Sequence, residues 1–541
     1  MAAALVTLTA VVLSPLLALL LRAAWVVLSY YYLMPLRIRR VMARQGVHGP
    51  QPRPLVGNLR DVSALVARAT ADDMPSLSHD IVGRLMPHYE LWSRTYGKLF
   101  VYWYGSEPRL CLTDTAMIKE FLSSKYAAHA TGKSWLQRQG TRHFIGRGLL
   151  MANGDSWSHQ RHVVAPAFMA DKLKGRVGHM VECTKQTIRA LRDATSRGGV
   201  GRRAGEVEIG AYMTRLTGDI ISRTEFSTSY DTGKRIFHLL EELQRLTARS
   251  SRYLWIPGSQ YFPSKYRREI RRLNGELESV LTESIRRSRE IADEGRTTSA
   301  YGRGLLAILL AEMEKKKEKK NQQAGDGLSY NAQMVVDECK TFLFAGHETS
   351  ALLLTWTLML LATHPEWQDK ARDEVQRVCG DEPPSADHLS KLTVLQMIIQ
   401  ETLRLYPPAT LLPRMVFDDI RLGGGSDGNG GLHLPRGLSV WIPVLAIHHD
   451  ESVWGPDAHE FRPERFAAGS AGRRAAFLPF ASGPRNCVGQ AYALVEAKVV
   501  LAMLLTHFRF AISDDYRHAP VNVLTLRPKH GVPVHLRPLR P

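Results

Sequence analysis

Cys487 stands in a run whose residue types suit a thiolate bond to a metal. The segment FLPFASGPRNCVGQAYA, Phe477 to Ala493, sets Phe480, Gly483, Arg485, Cys487 and Gly489 in the spacing F-x-x-G-x-R-x-C-x-G. A thiolate needs its charge stabilised, and the following QAYALVEAKVVLAMLL reads as a helix whose first amides supply that. Gly483 and Gly489 permit turns and close backbone approach to a flat prosthetic group. Arg485 suits a carboxylate of that group, and Phe480 suits the shielding of sulfur from water. An ordinary buried cysteine in a turn would require none of the other four.

Further segments carry chemistry-bearing residues in order along the chain. GDSWSHQRH, Gly154 to His162, puts Trp157 and Arg161 four apart on one helical face; alone, that pair reads as a cation–π or surface contact. TFLFAGHETS, Thr341 to Ser350, has Gly346 inside a helix, where glycine costs about 1 kcal/mol and so needs a reason. Glu348 and Thr349 beside it suit proton handling, although a core helix with a routine threonine reads equally well. ETLRLYPP contains Glu401 and Arg404 at i, i+3, TLLPRM adds Arg414, and FRPERF adds Arg465. His448 and His449 precede Asp450, but no third ligand stands at metal spacing.

In this order the segments resemble the cytochrome P-450 family, over about nine-tenths of the chain from a proline-rich strut to the end. The resemblance implies a mainly α cytochrome P-450 fold with a small β region, forming one catalytic domain over residues 59–541. It implies haem b (iron protoporphyrin IX) with Cys487 as the axial iron ligand, Arg485, Trp157, Arg161 and Arg414 at the propionates, and Phe480 and Gly483 around the ligand. Thr349 and Glu348 become the proton-delivery pair of an oxygen-binding groove in which Gly346 leaves room for dioxygen. Glu401, Arg404 and Arg465 become a structural lock. The implied reaction inserts one oxygen atom from dioxygen into a C–H bond of a small molecule. Electrons come from NADPH, which this chain does not bind, through a flavin reductase, with cytochrome b5 as a second redox partner. His162 departs from related plant enzymes, which often have a second basic residue after Arg161.

Within the family, Ser78–Lys98, Gly132–Trp157 and Leu403–Gly423 resemble the plant branch that includes cytokinin and brassinosteroid hydroxylases. That resemblance implies trans-hydroxylation of the isopentenyl side chain of N6-isopentenyladenine nucleotides. A hydroxylase of a steroid, terpenoid or fatty acid stays open beside it. So does a haem-thiolate isomerase or dehydratase that needs no dioxygen, although the AGHET groove favours a monooxygenase. A membrane-tethered haem sensor is a non-enzymatic alternative.

Elements must position these residues. Met1 to Leu21 holds no charge and is long enough to span a bilayer; after Arg22, residues 23–36 are again apolar, with Trp25 and Tyr30 to Tyr32 suited to the interface. The arginines at 37, 39, 40 and 44 put the body on the cytosolic side, and the resemblance makes the membrane that of the endoplasmic reticulum. Residues 1–36 are therefore expected to form a single-pass anchor, and 37–58 a basic, proline-rich strut. Amphipathic spacing predicts helices at Val177–Arg192, Lys234–Thr247, Lys265–Ile291 and Ala362–Cys379, and strands at Leu99–Tyr104 and Leu438–Val444. Thr195–Gly205 and Glu314–Gly327 read as exposed loops. Gly423, Gly425 and Gly428 match G-x-G-x-x-G but neither close a strand nor open a helix, so Arg421–Gly431 reads as a hairpin loop rather than a dinucleotide site. Five scattered cysteines among 541 residues give no disulfide framework. The net charge of +19 comes without a nucleic-acid motif and points to membrane lipid or an acidic protein partner, not to a nucleic acid polymer. Arg473 and Arg474, near the cysteine loop, are candidates for a reductase-facing patch.

Overall fold

The computed structural model describes residues 2–197, 205–226, 230–250, 256, 259, 264–293, 304–320, 330–423, 431–467 and 475–539. Helices dominate, and the elements that matter for the site are α1 (Ala2–Leu28), α2 (Met34–Arg44), α3 (Trp135–Thr141), α4 (Gly154–Val164), α5 (Ile209–Glu225), α6 (Ala332–Thr363), α7 (Pro365–Cys379), α8 (Thr393–Leu405) and α9 (Gln490–His507). A five-stranded sheet is built from β1 (Phe100–Tyr104), β2 (Glu107–Cys111), β3 (Thr131–Gly132), β4 (Leu412–Val416) and β5 (Ser439–Ile442), in the order β1-β2-β5-β4-β3. Only the β2–β5 pairing in it is parallel, with Leu110 beside Val440.

Helix α6 is apolar almost all round, as a helix through the middle of a large body must be. Asn331 caps it by accepting from the Met334 amide at 2.8 Å, and it ends at Thr363 because Pro365 cannot continue a helix. The expected helix Ala362–Cys379 is thus two elements divided at His364. Glu314–Gly327 also needs correction: helix runs through Lys320, since Glu and Lys are good helix formers, and 321–329 lie outside the described residues. Helix Val177–Arg197 likewise absorbs the first residues of the loop expected from Thr195, and 198–204 are not described. Short strands Ile420–Leu422 and Leu432–Leu434 pair antiparallel, as a hairpin at the glycine-rich segment requires.

The N-terminus is one helical rod. α1 passes through a π-helical turn at Ser29–Leu33 into α2 without a break, and the apolar part is long enough to cross a membrane. The strut does not stand off from the body. Ile38 and Met42 of α2 are fully buried in a second core with Leu438, Val440 and Trp103. The Gln45 side chain exchanges two hydrogen bonds with the His433 backbone, and the Val101 amide donates to His48. Proline stiffness was legible in residues 37–58; the tertiary contacts that absorb them into the body were not.

Three helices enclose a buried acidic cluster behind the groove. Burial pushes Glu496 of α9 from 4.5 up to about 8, with Ser350 pulling the other way, and Glu225 of α5 up to about 7 despite Arg176 at 2.6 Å. Both carboxyls are then neutral in the fold and ionised in the unfolded chain over that window, so stability is present at low pH and lost as pH rises from about 4.5 toward 8. Glu496→Gln is expected to flatten this loss. Melting curves at pH 6 and pH 8.5 should separate less for the variant than for the parent protein; equal separation would remove Glu496 as the source.

Candidate active site

The cysteine loop is closed by the Cys487 amide, which donates to the Phe480 carbonyl at 2.9 Å. Gly483 has φ +71, and a Cβ there would lie 1.9 Å from the Leu122 carbonyl oxygen, so its glycine serves a turn against a neighbouring loop rather than the approach of a flat group. A Cβ on Gly489 would meet only ordinary contacts. Phe480 is partly buried against the main core. Cys487 is accessible to a water-sized sphere although protein surrounds it, so its thiol opens onto an internal slot. Burial raises the thiol pKa; the Gly489 amide and the Arg161 charge oppose that.

Three cations line one edge of this region. Arg485 donates to the carbonyls of Ala127 (2.7 Å) and Ala152 (3.0 Å), lies 4.1 Å over the Trp157 ring, and leaves one buried guanidinium nitrogen without a partner. Arg414, carried inward by β4, donates to the carbonyl of its neighbour Pro413 at 3.0 Å. Burial pushes Arg414 down to about 10; burial and then the Arg414 charge push Arg485 down to about 9. Lys133 lies well below the ordinary lysine range for the same reasons, burial first and the two arginines after. None of the three pairs with a carboxylate among the described residues. Buried like charges are stable only if anions arrive between them, and a haem presents two propionates. The residues present fit that group.

Arg161 is the exception among the expected contacts. Its guanidinium donates to the carbonyl and side-chain oxygens of Asn486, both at 2.8 Å, so it braces the cysteine loop instead of joining the cation cluster. Trp157 meets the cluster only by stacking on Arg485. Lys133 was missed. It sits just before Ser134, which caps α3 with Gln137 in a capping box, and nothing in its spacing marks it.

In the groove of α6, Glu348 and Gly346 each meet a neighbouring element. The Thr349 hydroxyl donates to the Ala345 carbonyl at 2.6 Å. Glu348 points elsewhere, because consecutive helical residues diverge by about 100°. Its carboxylate accepts from the Thr525 hydroxyl and, at 2.5 and 3.0 Å, from two nitrogens of Arg527, both residues on the hairpin of Pro520–Val523 and Thr525–Pro528. A Cβ on Gly346 would meet Ile221 of α5 at 2.2 Å. Its absence lets α5 and α6 approach, and the Thr217 hydroxyl then reaches the His347 carbonyl at 3.0 Å.

The lock is fully buried. Arg404 binds Glu401 through two bonds of 2.7 Å and spends its remaining donors on the carbonyls of His448, Ala458 and Glu460. Arg465 approaches Glu401 at 3.4 Å and Asp457 at 2.8 Å. His448 joins this lock to the cysteine loop: one ring nitrogen faces the Arg404 carbonyl at 3.2 Å, and the other accepts from the Leu478 amide at 2.9 Å. Burial, then the Arg404 charge, pushes it down to about 3, so it is a neutral bridge, and with both ring nitrogens engaged it has none left for a metal. Among the described residues no His, Cys, Asp and Glu cluster could hold a metal.

A family model described as Cytochrome P450 matches residues 79–532. Two proteins named cytokinin hydroxylase from Arabidopsis thaliana are 54% and 53% identical, each over 96% of both chains. Cytochrome P450 734A4 from Oryza sativa subsp. japonica is 38% identical over the same share.

Proposed function

The chain belongs to the cytochrome P450 family and is a P450 monooxygenase, and from that premise we propose that it trans-hydroxylates the isopentenyl side chain of N6-isopentenyladenine nucleotides. The thiol of Cys487, opening on a slot edged by Arg485, Arg414 and Lys133, carries the haem assignment. The two cytokinin hydroxylases support the substrate.

Haem b, when bound, supplies dioxygen activation and transfer of one oxygen atom into a C–H bond. Cys487 would hold the haem iron through its thiolate, with the Gly489 amide and Arg161 stabilising that charge. Arg485, Arg414 and Lys133 hold the propionates, and Trp157 fixes the Arg485 plane from behind. The Thr349 hydroxyl holds a proton at the groove, and Glu348 is the outer member of the relay, between Arg527 and the helix. Phe144 of the loop after α3 packs on Phe344 at 5.3 Å, closing the groove against water. NADPH reaches the reaction through a flavin reductase. Arg473 and Arg474, its candidate docking residues, lie outside the described residues. The N-terminal rod anchors the chain to the endoplasmic reticulum membrane with the body in the cytosol.

Reconstitution with a plant reductase and NADPH, against isopentenyladenine nucleotides, steroids and terpenoids, tests the substrate; product from a steroid or terpenoid alone would overturn it. Thr349→Ala should keep the haem spectrum and substrate binding while NADPH consumption outruns product about a hundredfold, the low end of what one proton-transfer group contributes. The excess should leave as hydrogen peroxide. Tight coupling in that variant would take Thr349 out of the relay.

A further inference from the structure

We propose that the cavity of about 250 Å³ on the outer side of α3, lined by Trp135, Arg138, Arg142 and Arg147, is the subsite for the phosphate of a nucleotide substrate. This rests on the adenine-nucleotide reading above and assigns residues to its charged end.

Arg138 and Arg142 stand four apart, on one face of α3 and its C-terminal cap. Like charges at that spacing oppose each other. Arg147 comes from the following loop, whose position is fixed from the other side. The Asp337 carboxylate of α6 accepts the Arg147 amide at 3.0 Å, the Thr341 hydroxyl donates to the Ile145 carbonyl at 2.9 Å, and the Leu149 amide donates to Glu338 at 3.0 Å. Some exposed arginines find carboxylates: Arg245 meets Glu242 at 2.7 Å and Arg272 meets Glu269 at 2.6 Å. Arg138, Arg142 and Arg147 have no ion-pair or side-chain hydrogen-bond partner among the described residues, and all three line one cavity. A guanidinium presents paired donors that match phosphate oxygens, so a phosphate is the anion this cavity suits. Trp135, 48% exposed at the rim, offers a flat face to a pentose.

The position agrees with the substrate's shape. The strap formed by residues 131–151 starts at Lys133, at the cation edge of the thiol slot, and crosses α6 where Phe144 meets Phe344. Its inner side lies against the groove and its outer side carries the arginines. From Asp337, beneath Arg147, to Ala345, beneath Thr349, α6 rises by about 12 Å. A nucleotide whose side chain reacts at the groove extends its phosphate a purine and a pentose away, on that scale.

The test compares isopentenyladenosine 5′-monophosphate with isopentenyladenosine as substrates of the full-length holoenzyme with reductase. The parent protein should prefer the nucleotide. The ratio of kcat/KM, nucleotide over nucleoside, should fall about tenfold in Arg142→Gln and about a hundredfold in the triple glutamine variant of 138, 142 and 147, as lost charged hydrogen bonds imply. Arg142→Lys should recover part of the loss, and added salt should raise the KM of the nucleotide more than that of the nucleoside. An unchanged ratio in variants that keep the haem spectrum would overturn the subsite while leaving the hydroxylation reading in place. A parent enzyme that oxidises neither compound would overturn that reading, and the subsite with it.

Discussion

Cys487→Ala is expected to abolish the red-shifted Soret band that thiolate ligation gives the reduced, carbon monoxide-bound protein, and with it all reductase-supported turnover. Four of the five cysteines cannot substitute for it. Cys111, Cys183, Cys339 and Cys379 are buried in packed surroundings, and burial raises each of their thiols. Burial acts on Cys487 as well, but only its thiol opens onto the slot beside the three cations. A coordinated metal removes the proton outright. The loop should survive the substitution, because its closure uses the Cys487 amide, not the sulfur. Cys339→Ala provides the comparison. It should cost stability through lost packing while leaving the spectrum as it was. A thiolate spectrum in Cys487→Ala would mean that another sulfur binds the iron.

Arg404→Ala is expected to prevent accumulation of folded, haem-loaded protein. Removing one partner of a buried pair leaves the other charge unpaired at a cost of about 3–5 kcal/mol, against a total stability of about 5–15 kcal/mol for a typical domain. Here the loss is wider. Three carbonyls give up their donor, among them that of His448, whose ring holds the Leu478 amide of the cysteine loop. Arg404→Lys retains the charge but cannot bridge both Glu401 oxygens and reach the carbonyls at once. It should fold with a melting temperature several degrees lower and a reduced haem content. Parent-like melting and haem content in Arg404→Ala would show that the pair is dispensable.

Residue types and spacing exposed the parts of the site that lie within a few residues of one another. The cysteine loop, the Glu401–Arg404 turn and the threonine of α6 each belong to a single short segment. Contacts between distant segments stayed hidden for a physical reason: neither partner is unusual in its own neighbourhood. Lys133 is an ordinary lysine until β4 and the cysteine loop bring Arg414 and Arg485 beside it. His448 gave no sign of bridging the lock to the loop. The contact that a side chain on Gly346 would make with Ile221 was equally hidden, since Ile221 lies on another helix. Glu348 shows the same limit: its position beside Thr349 was legible, and its bonds to Thr525 and Arg527 on a distant hairpin were not.

The docking of the N-terminal rod has a consequence for the order in which the protein is made. Gln45 closes its bonds with His433, 388 residues later, and the core that buries Ile38 and Met42 is completed by Leu438 and Val440. At about 5–20 residues per second, translation takes roughly 20–80 s to cover that interval. As the anchor proposed above, the rod enters the bilayer while still lacking its seat on the body. Throughout that interval Ile38 and Met42 face water or lipid headgroups, and the tether leaves the nascent chain free to swivel. Closing so long a loop costs little more entropy than closing one half as long. The delay therefore comes from synthesis, and the proposed anchor acquires a fixed pitch against the body only once the strands Leu432–Leu434 and Ser439–Ile442 leave the ribosome.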